Sequence, residues 1–336
     1  YENEINGHTN EQRQFLEFTS AHKKAFILGG AGTGKTHLAI EKAKEFHSNS
    51  LKTLFVYYNK PIAEHVKLKL TNETNVTVTS FHKLCQHSAK HVGIELNRND
   101  PNYFDQVLPK ALELAIDSDT FNKFDALIID EVQDFQTDWV TTLLLCLNDY
   151  SEGKVFVFGD DNQNIYAKIS EIGELLQVEP SVLTRNVRNT APIFERAQRY
   201  YSGVTNKAIS DTGPSVQIEE LNQKQPNKKL NSVINRLNTV EGVPKENIAI
   251  LSLCAKEKSL HFLEHNNISL SAEDAPKKGQ LVFDSVWRFK GLESQVVILT
   301  DFENHMHNKE LLYVAFSRAR TLLILLANSE LLQDLI

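Results

Sequence analysis

The residues Gly29-Gly30-Ala31-Gly32-Thr33-Gly34-Lys35-Thr36 fit the spacing G-x-x-x-x-G-K-[ST]. An apolar run, Ala25–Leu28, precedes this motif, and a helix-like stretch, Lys35–His47, begins inside it. Glycines let backbone N–H groups curl around phosphate oxygens because no Cβ intervenes, and a helix N-terminus adds a favourable dipole. The pattern predicts a phosphate-binding loop over residues 29–36, with Lys35 on the β- and γ-phosphates of a nucleotide and Thr36 on Mg²⁺.

A second motif, Leu127-Ile128-Ile129-Asp130-Glu131, is an apolar strand that ends in two acids. In a parallel sheet such carboxylates lie at the carboxyl edge, where folds of this kind bind ligands. We expect Asp130 to hold Mg²⁺, directly or through water, and Glu131 to polarise the attacking water. The two motifs together predict ATP and Mg²⁺ as the groups bound.

Short apolar runs rich in β-formers alternate with helix-like segments along the chain. This alternation predicts an α/β fold in which parallel sheets are covered by helices. A boundary near residue 182 gives two domains, 1–182 and 183–336. The expected strands are Ala25–Leu28, Thr53–Tyr57, Val76–Thr79, Ala126–Asp130 and Lys154–Phe158, then Val216–Glu219, Asn247–Leu251, Leu281–Asp284, Val296–Thr300 and Leu322–Leu326.

The composition is that of a globular protein, with 41% hydrophobic and 24% charged residues among 336. The longest apolar runs, such as Thr321–Ala327, are too short to cross a bilayer, and the chain does not open on a signal segment. Cys85, Cys146 and Cys254 lack the paired spacing of a disulfide framework or a zinc site. We therefore expect a cytoplasmic protein that does not engage a membrane.

The charge distribution limits how nucleic acid could be held. The net charge is −7, and the acidic excess lies in the first 180 residues. A generally basic nucleic-acid binder is excluded, so any nucleic acid must lie in a local groove.

Gln12 and seven ordered blocks carry a family resemblance. Besides the two motifs above, the blocks are Thr79-Ser80-Phe81-His82, Gly159-Asp160-Asp161-Asn162-Gln163-Asn164-Ile165-Tyr166, Asn186-Val187-Arg188-Asn189-Thr190, Phe289-Lys290-Gly291-Leu292-Glu293 and Tyr313-Val314-Ala315-Phe316-Ser317-Arg318-Ala319-Arg320. From about residue 9 to residue 320 the chain resembles the UvrD/Rep-like branch of superfamily 1 DNA helicases. The Gln-Asn-Ile-Tyr ending separates it from the RecD/Upf1-like branch.

The resemblance implies two RecA-like P-loop NTPase domains with the ATP site in the cleft between them. It implies that Gln12 reads the adenine edge and that Gln163 senses the γ-phosphate. It makes Arg188 and Arg318 arginine fingers, a role that a planar and permanently charged guanidinium suits. The alternatives are a helix-start cap for Gln12 and surface ion pairs for the arginines.

Further roles follow from the same resemblance. Glu293 contacts the ribose, and Gly291 allows close backbone approach. The nucleic-acid track comprises Tyr57, Asn59, Lys60, Phe81, His82, Tyr166, Trp287 and Arg288. Aromatic rings stack on bases without reading sequence, although aromatic residues at strand ends are more often core residues. The implied partner is single-stranded DNA or a tailed duplex.

The chain departs from the family pattern in detail and in size. Val187 replaces an adenine-stacking aromatic, Lys168 a tryptophan and Trp287 a histidine. Only residues 83–129 and 191–288 stand where the family inserts subdomains, so the chain resembles a minimal two-domain motor. Because strand separation often depends on those insertions, DNA-stimulated hydrolysis is the firmer expectation.

Three functions stay open on the sequence alone. The first is an ATP hydrolase of the helicase or translocase type, working 3′-to-5′ on single-stranded DNA. The second is an ATP-sensing regulatory module that controls a partner or fused nuclease, since the blocks are also similar to the ATPase halves of bacterial nuclease–helicase proteins. The third, a motor acting on RNA, is disfavoured by the Gln-Asn-Ile-Tyr block.

Overall fold

A computed structural model describes residues 10–160, 162, 166–204, 207–208, 212–221, 225–259, 261, 268–269 and 278–331. The chain separates into two compact units, Tyr1–Thr184 (unit 1) and Arg185–Ile336 (unit 2). The boundary drawn from the sequence lies two residues earlier.

Unit 1 alternates strands with helices. Its elements are α1 (Asn10–Ser20), β1 (Lys24–Gly29), α2 (Lys35–Ser48), β2 (Thr53–Tyr57), α3 (Lys60–Lys69), β3 (Val76–Ser80), α4 (Phe81–His91), a π-helical turn (Tyr103–Val107), α5 (Leu108–Ile116), β4 (Ala126–Ile129), a 3-10 turn (Val132–Asp134), α6 (Thr137–Leu144), β5 (Lys154–Gly159), α7 (Tyr166–Leu176) and β6 (Pro180–Leu183). The strands form one sheet in the order β3-β2-β4-β5-β1-β6, and every neighbouring pair is parallel.

The central strands of unit 1 are continuous apolar runs because both faces of the sheet are covered. Side chains that alternate along the strands, such as Phe26, Leu54 and Val155, pack with helices α4 to α7 in one core. On α2, the ring of Phe46 lies 5.5 Å from that of Phe156 in an edge-to-face contact. The sheet is thus a rigid platform whose carboxyl edge carries the loops after β1, β4 and β5.

Unit 2 repeats this plan with its own sheet. Its elements are β7 (Arg185–Asn186), α8 (Ala191–Gln198), β8 (Lys207–Ala208), β9 (Gln217–Glu220), α9 (Pro226–Asn235), a π-helical turn (Arg236–Val240), 3-10 turns (Lys245–Asn247 and Lys256–Lys258), β10 (Ile248–Ser252), β11 (Ile268–Ser269), β12 (Leu281–Ser285), β13 (Ser294–Thr300), α10 (Lys309–Phe316) and β14 (Ala319–Ala327). The main sheet has the order β11-β12-β10-β13-β14-β9 and is parallel throughout, while β7 and β8 form a separate parallel pair.

One core of unit 2 lies where α9 covers the sheet, with Leu230 and Val233 packed in the same cluster as Ile250 and Phe283. Helix α8 contacts both α10 and β14. The predicted fold class, α/β with parallel sheets covered by helices, is confirmed in both units. Within the part of the chain that is described, no helix has the length and apolar character needed to span a membrane.

Candidate nucleotide site

The predicted phosphate loop joins β1 to α2 and takes its shape from its glycines. Gly32 and Gly34 have φ values of 82° and 90°, in the left-handed region that glycine enters without steric cost. A Cβ added to Gly29 would lie 2.8 Å from Oγ1 of Thr33 and 3.0 Å from the carbonyl oxygen of Leu183. The loop is therefore a cradle that larger residues would fill, and this fits a bound phosphate chain.

Lys35, the first residue of α2, is buried and folds back over the loop. Its Nζ donates to the carbonyl oxygens of Gly29 at 2.6 Å and Gly30 at 3.0 Å. The carboxylate of Asp160, at the end of β5, lies 3.8 Å away. The ammonium group is thus held at the loop by weak acceptors that phosphate oxygens can replace.

The two acids predicted after β4 lie beside the loop. Oγ1 of Thr36 donates to Oδ2 of Asp130 at 2.7 Å, and the backbone N–H of Glu131 donates to the other oxygen at 2.9 Å. Asp130 is fully buried, and this burial, with the nearby charge of Glu131, raises its pKa to about 7. A buried carboxylate beside a hydroxyl is an all-oxygen donor set, which fits Mg²⁺ held by Thr36 and Asp130.

Gln133 is a site residue that the sequence analysis missed. Its amide Nε2 donates to Oε2 of Glu131, and its Oε1 accepts from the backbone N–H of Asp160 at 2.9 Å. Nζ of Lys168 donates to the carbonyl oxygen of Gln133 at 2.9 Å. Glu131 has a φ of 55°, a strained value for a residue with a side chain, so Gln133 helps to hold it in place. The available signal was an amide two positions after the acid pair.

Gln12 lies at the same loop, since its Nε2 donates to the carbonyl oxygen of Thr33 at 3.2 Å and its side chain is buried. Adenine recognition by Gln12 stays a prediction. The predicted sensor Gln163 lies outside the described residues, as does the side chain of Tyr166.

In unit 2, Nε of Arg188 lies 2.5 Å from Oε2 of Glu293. Gly291, two positions before this acid, has a φ of 85°, which agrees with a glycine-dependent turn. The structure therefore brings Arg188 together with the residue predicted to contact ribose.

Arg318 differs from Arg188 because only 5% of it is exposed. Its guanidinium donates to the carbonyl oxygens of Val314 at 2.9 Å and Leu292 at 3.2 Å, and to the hydroxyl of Ser317 at 2.8 Å. In this conformation Arg318 ties its own segment together. Its role as an arginine finger stays a prediction.

Two residues of the predicted nucleic-acid track belong to the core instead. Tyr57 and Phe81 have no exposed surface, and the ring of Tyr57 stacks on Phe55 at 4.8 Å. Base stacking by these two rings in this conformation is ruled out because a ring without exposed surface cannot contact a base. Tyr58, one position further along, is 40% exposed.

Tyr58 belongs to a half-exposed aromatic cluster. Its ring is stacked 6.2 Å from Trp139 and lies 5.6 Å from His82, which in turn lies 5.3 Å from Phe104. Phe104 is 57% exposed. Burial lowers the pKa of His82, so the imidazole is mainly neutral near pH 7. Together these rings offer an apolar, largely uncharged surface.

The other track residues keep accessible surface. Asn59 precedes α3 and is half-buried, while Lys60 is exposed. In unit 2, Trp287 is exposed, and Nε of Arg288 lies 3.2 Å from Oδ1 of Asp284. Contact of these residues with nucleic acid stays a prediction.

Comparisons with known proteins match both units. Residues 12–168 match the family model of an AAA domain, and residues 280–326 match that of the UvrD-like helicase C-terminal domain. No curated protein matches the chain.

Solved helicase structures resemble the whole chain at low identity. The arterivirus nonstructural protein 10 helicase in complex with DNA is 12% identical to this chain, with a TM-score of 0.46. The alignment covers 93% of this chain and 63% of the arterivirus chain. The PRRSV helicase is 12% identical with a TM-score of 0.47, covering 96% of this chain and 56% of its own. A second arterivirus nonstructural protein 10 structure is 12% identical with a TM-score of 0.46, covering 99% and 65% respectively. This chain thus spans less than two thirds of the length of these proteins.

The two family models lie one in each unit and together match more than half of the chain. The first range contains the phosphate loop and the acid pair, and the second contains the blocks at residues 289–293 and 313–320, whereas the block at residues 186–190 lies in neither. The chain therefore carries a region that matches an AAA domain, followed by a region that matches a UvrD-like helicase C-terminal domain.

Proposed function

We propose that this protein hydrolyses ATP and uses the hydrolysis to translocate 3′-to-5′ along single-stranded DNA. The observation that carries the proposal is the 2.7 Å hydrogen bond from Thr36 to Asp130, which joins the phosphate loop to the acid pair. The UvrD-like C-terminal domain supports the helicase class of ATPase.

The residues of unit 1 have separable roles in this reaction. The N–H groups of the loop and the ammonium of Lys35 bind the β- and γ-phosphates. Thr36 and Asp130 would hold Mg²⁺, which would supply positive charge to neutralise the phosphate oxygens. Glu131 accepts the proton of the water that forms the new bond to the γ-phosphorus while the bond to the ADP oxygen breaks. Gln133 keeps the Glu131 carboxylate oriented.

The aromatic cluster is our candidate for base contact in unit 1. Tyr58 and Phe104 present the ring surface that Tyr57 and Phe81 do not. Stacking on such rings does not depend on base identity, which suits a motor that moves along any sequence. It also suits a protein with a net charge of −7, because stacking needs few cations.

A second function is favoured by the small size of the segment between the Phe81-His82 block and Asp130. Residues 83–129 hold little beyond α4, a π-helical turn and α5. A motor without a large inserted subdomain could serve as an ATP-sensing module for a nuclease partner, with little unwinding of its own. The two proposals differ in whether the chain moves along DNA.

Translocation is tested with single-stranded oligonucleotides of increasing length that carry a fluorophore at one end. We expect the fluorescence of a 5′ label to change after a lag that grows with the length of the oligonucleotide. The fluorescence of a 3′ label should change without a lag. A signal without length dependence, alongside normal ATP turnover, would favour the regulatory function. Tyr58→Ala should weaken DNA binding, whereas Tyr150→Ala, which removes another exposed ring of unit 1, should not.

A further inference from the structure

The end of β2 places Tyr57 beside Asp130. Strand β2 pairs with β4 so that Val56 lies opposite Ile129, and the N–H of Asp130 donates to the carbonyl oxygen of Val56 at 3.1 Å. Tyr57 and Asp130 each come one position after this pair, so they are neighbours at the carboxyl edge of the sheet. The fold thus sets a phenol ring next to an acid that we assign to Mg²⁺.

Tyr57 and Asp130 also lie on the same face of that sheet. Side chains alternate along a strand, and Val56 and Ile129 belong to the core that packs with helices α4 to α7. The next residue along each segment therefore faces the other way, where α2 covers the sheet. On this face Asp130 accepts the hydrogen bond from Thr36 of α2. The side chain of Tyr57 is thus on the side of the acid.

The hydroxyl of Tyr57 is buried. The residue has no exposed surface, and its ring stacks on Phe55 at 4.8 Å. Among the described residues, no atom makes a hydrogen bond of good geometry with this hydroxyl. A buried hydroxyl that lacks a partner destabilises a fold, and phenylalanine would fill the same space without that loss. Ring packing alone therefore does not account for a tyrosine at this position.

The acid pair acts on this hydroxyl. Burial raises the pKa of Tyr57 well above its usual value, and the negative charges of Asp130 and Glu131 raise it further. The phenol therefore stays protonated and is a permanent donor. Asp130 already accepts from Thr36 and from the N–H of Glu131, and an ionised carboxylate has about four acceptor sites. The carboxylate of Asp130 can thus accept a third hydrogen bond.

We propose that Tyr57 is a positioning residue for ATP hydrolysis, whose hydroxyl donates to the carboxylate of Asp130 and orients that carboxylate for Mg²⁺. The inference deepens the proposed function and rests on it. A further donor suits Asp130 best when the carboxylate is ionised, as it must be to ligate a cation. The effect of Tyr57 on hydrolysis passes through Asp130.

Calorimetry with ADP tests the proposal without turnover. Tyr57→Phe removes the hydroxyl and keeps the ring. It should reduce the gain in ADP affinity that Mg²⁺ brings by about fivefold, as expected for the loss of one hydrogen bond, with the affinity for ADP alone unchanged. Asp130→Asn should abolish the gain. An unaltered gain in Tyr57→Phe, or an equal loss of affinity with and without Mg²⁺, would overturn the proposal.

The matched control is Tyr103→Phe. It makes the same chemical change at another buried tyrosine of unit 1, whose hydroxyl accepts from Nε2 of Gln86 at 3.3 Å. Tyr103→Phe should leave ADP affinity unchanged both with and without Mg²⁺. If it reduces the gain as much as Tyr57→Phe does, the effect is one of core packing and the proposal fails.

Steady-state hydrolysis separates this inference from the proposed function. Tyr57→Phe should raise the Mg²⁺ concentration that gives half of the maximal rate, while Tyr103→Phe should not. A normal Mg²⁺ dependence in Tyr57→Phe, alongside lost turnover in Lys35→Ala, would overturn the inference and leave the proposed function intact. Turnover retained in Lys35→Ala would contradict the proposed function itself.

Discussion

The hydroxyl of Thr36 donates a 2.7 Å hydrogen bond to the carboxylate of Asp130, 94 positions further along the chain. The bond joins the first turn of α2 to the residue after β4. These elements meet because β4, β5 and β1 are neighbours in one parallel sheet, so their carboxyl ends share an edge. The loop that holds phosphates and the acids that act on them are therefore parts of one platform.

Lys35→Ala should reduce ATP turnover about 100-fold or more, because the loop loses its cation at the β- and γ-phosphates. Hydrolysis is measured as phosphate release, with circular dichroism to verify folding. The control is Lys44→Ala on the same helix, which removes a half-buried lysine paired with Glu41 and should leave turnover unchanged. Turnover retained in Lys35→Ala would refute the site.

Gly29→Ala should weaken nucleotide binding, because the new Cβ would lie 2.8 Å from Oγ1 of Thr33 and force the loop to move. Gly93→Ala is the matched comparison, because a Cβ at this position would meet nothing within 4 Å. The φ of Gly93 is 76°, so alanine is strained there for a different reason. We expect Gly93→Ala to cost about 1 kcal/mol of stability through backbone strain, with nucleotide affinity unchanged. Equal nucleotide affinity in both variants would show that the loop does not need its glycine shape.

Asn189→Ala should destabilise unit 2 by about 1–3 kcal/mol, because two buried carbonyl oxygens lose their donor. Urea unfolding measures the loss. Asn148→Ala removes an exposed hydrogen bond to Asp125 and should change stability by less than about 0.5 kcal/mol. If Asn189→Ala loses no more stability than Asn148→Ala, the hydrogen bonds from Asn189 to Ser317 and Ala319 do not stabilise unit 2 as we expect.

Thiol reactivity should separate the three cysteines. Burial raises the pKa of Cys85 far above its usual value and that of Cys146 to about 12, and both side chains are fully buried. Cys254 is half-buried and its pKa is raised less, mainly by burial. Because only the thiolate reacts, a thiol reagent at pH 8 should label Cys254 alone, faster as pH rises towards its pKa. Rapid labelling of Cys85 or Cys146 in the folded protein would contradict the burial of these two thiols in the core of unit 1.

The parts that the sequence predicted well depend on local pattern. The phosphate loop needs glycines at set positions, and buried parallel strands are continuous apolar runs, so both are readable along the chain. Strand β6 was missed because Pro180–Leu183 shows neither alternation nor an apolar run. Such a segment becomes a strand only through its pairing with β1 at the edge of the sheet.

The burial of Tyr57 and the contacts of Arg318 could not be predicted, for a different reason. Tyr57 and Tyr58 are adjacent and chemically equal, and only the packing at the end of β2 decides which ring is buried. Arg318 donates to the carbonyl oxygen of Leu292, whereas Arg320 faces the carboxylate of Glu293, and both partners come from a segment distant in sequence. A motif names the residue types, but tertiary contacts decide which of two similar side chains faces solvent.

The most direct test of the account is the ATPase rate of this chain with and without single-stranded DNA, at low and at high salt. We predict strong stimulation by DNA that falls as salt rises, because phosphate contacts release counterions. Glu131→Gln should lack turnover in every condition. An ATPase rate that no DNA changes at either salt concentration would contradict the proposed motor.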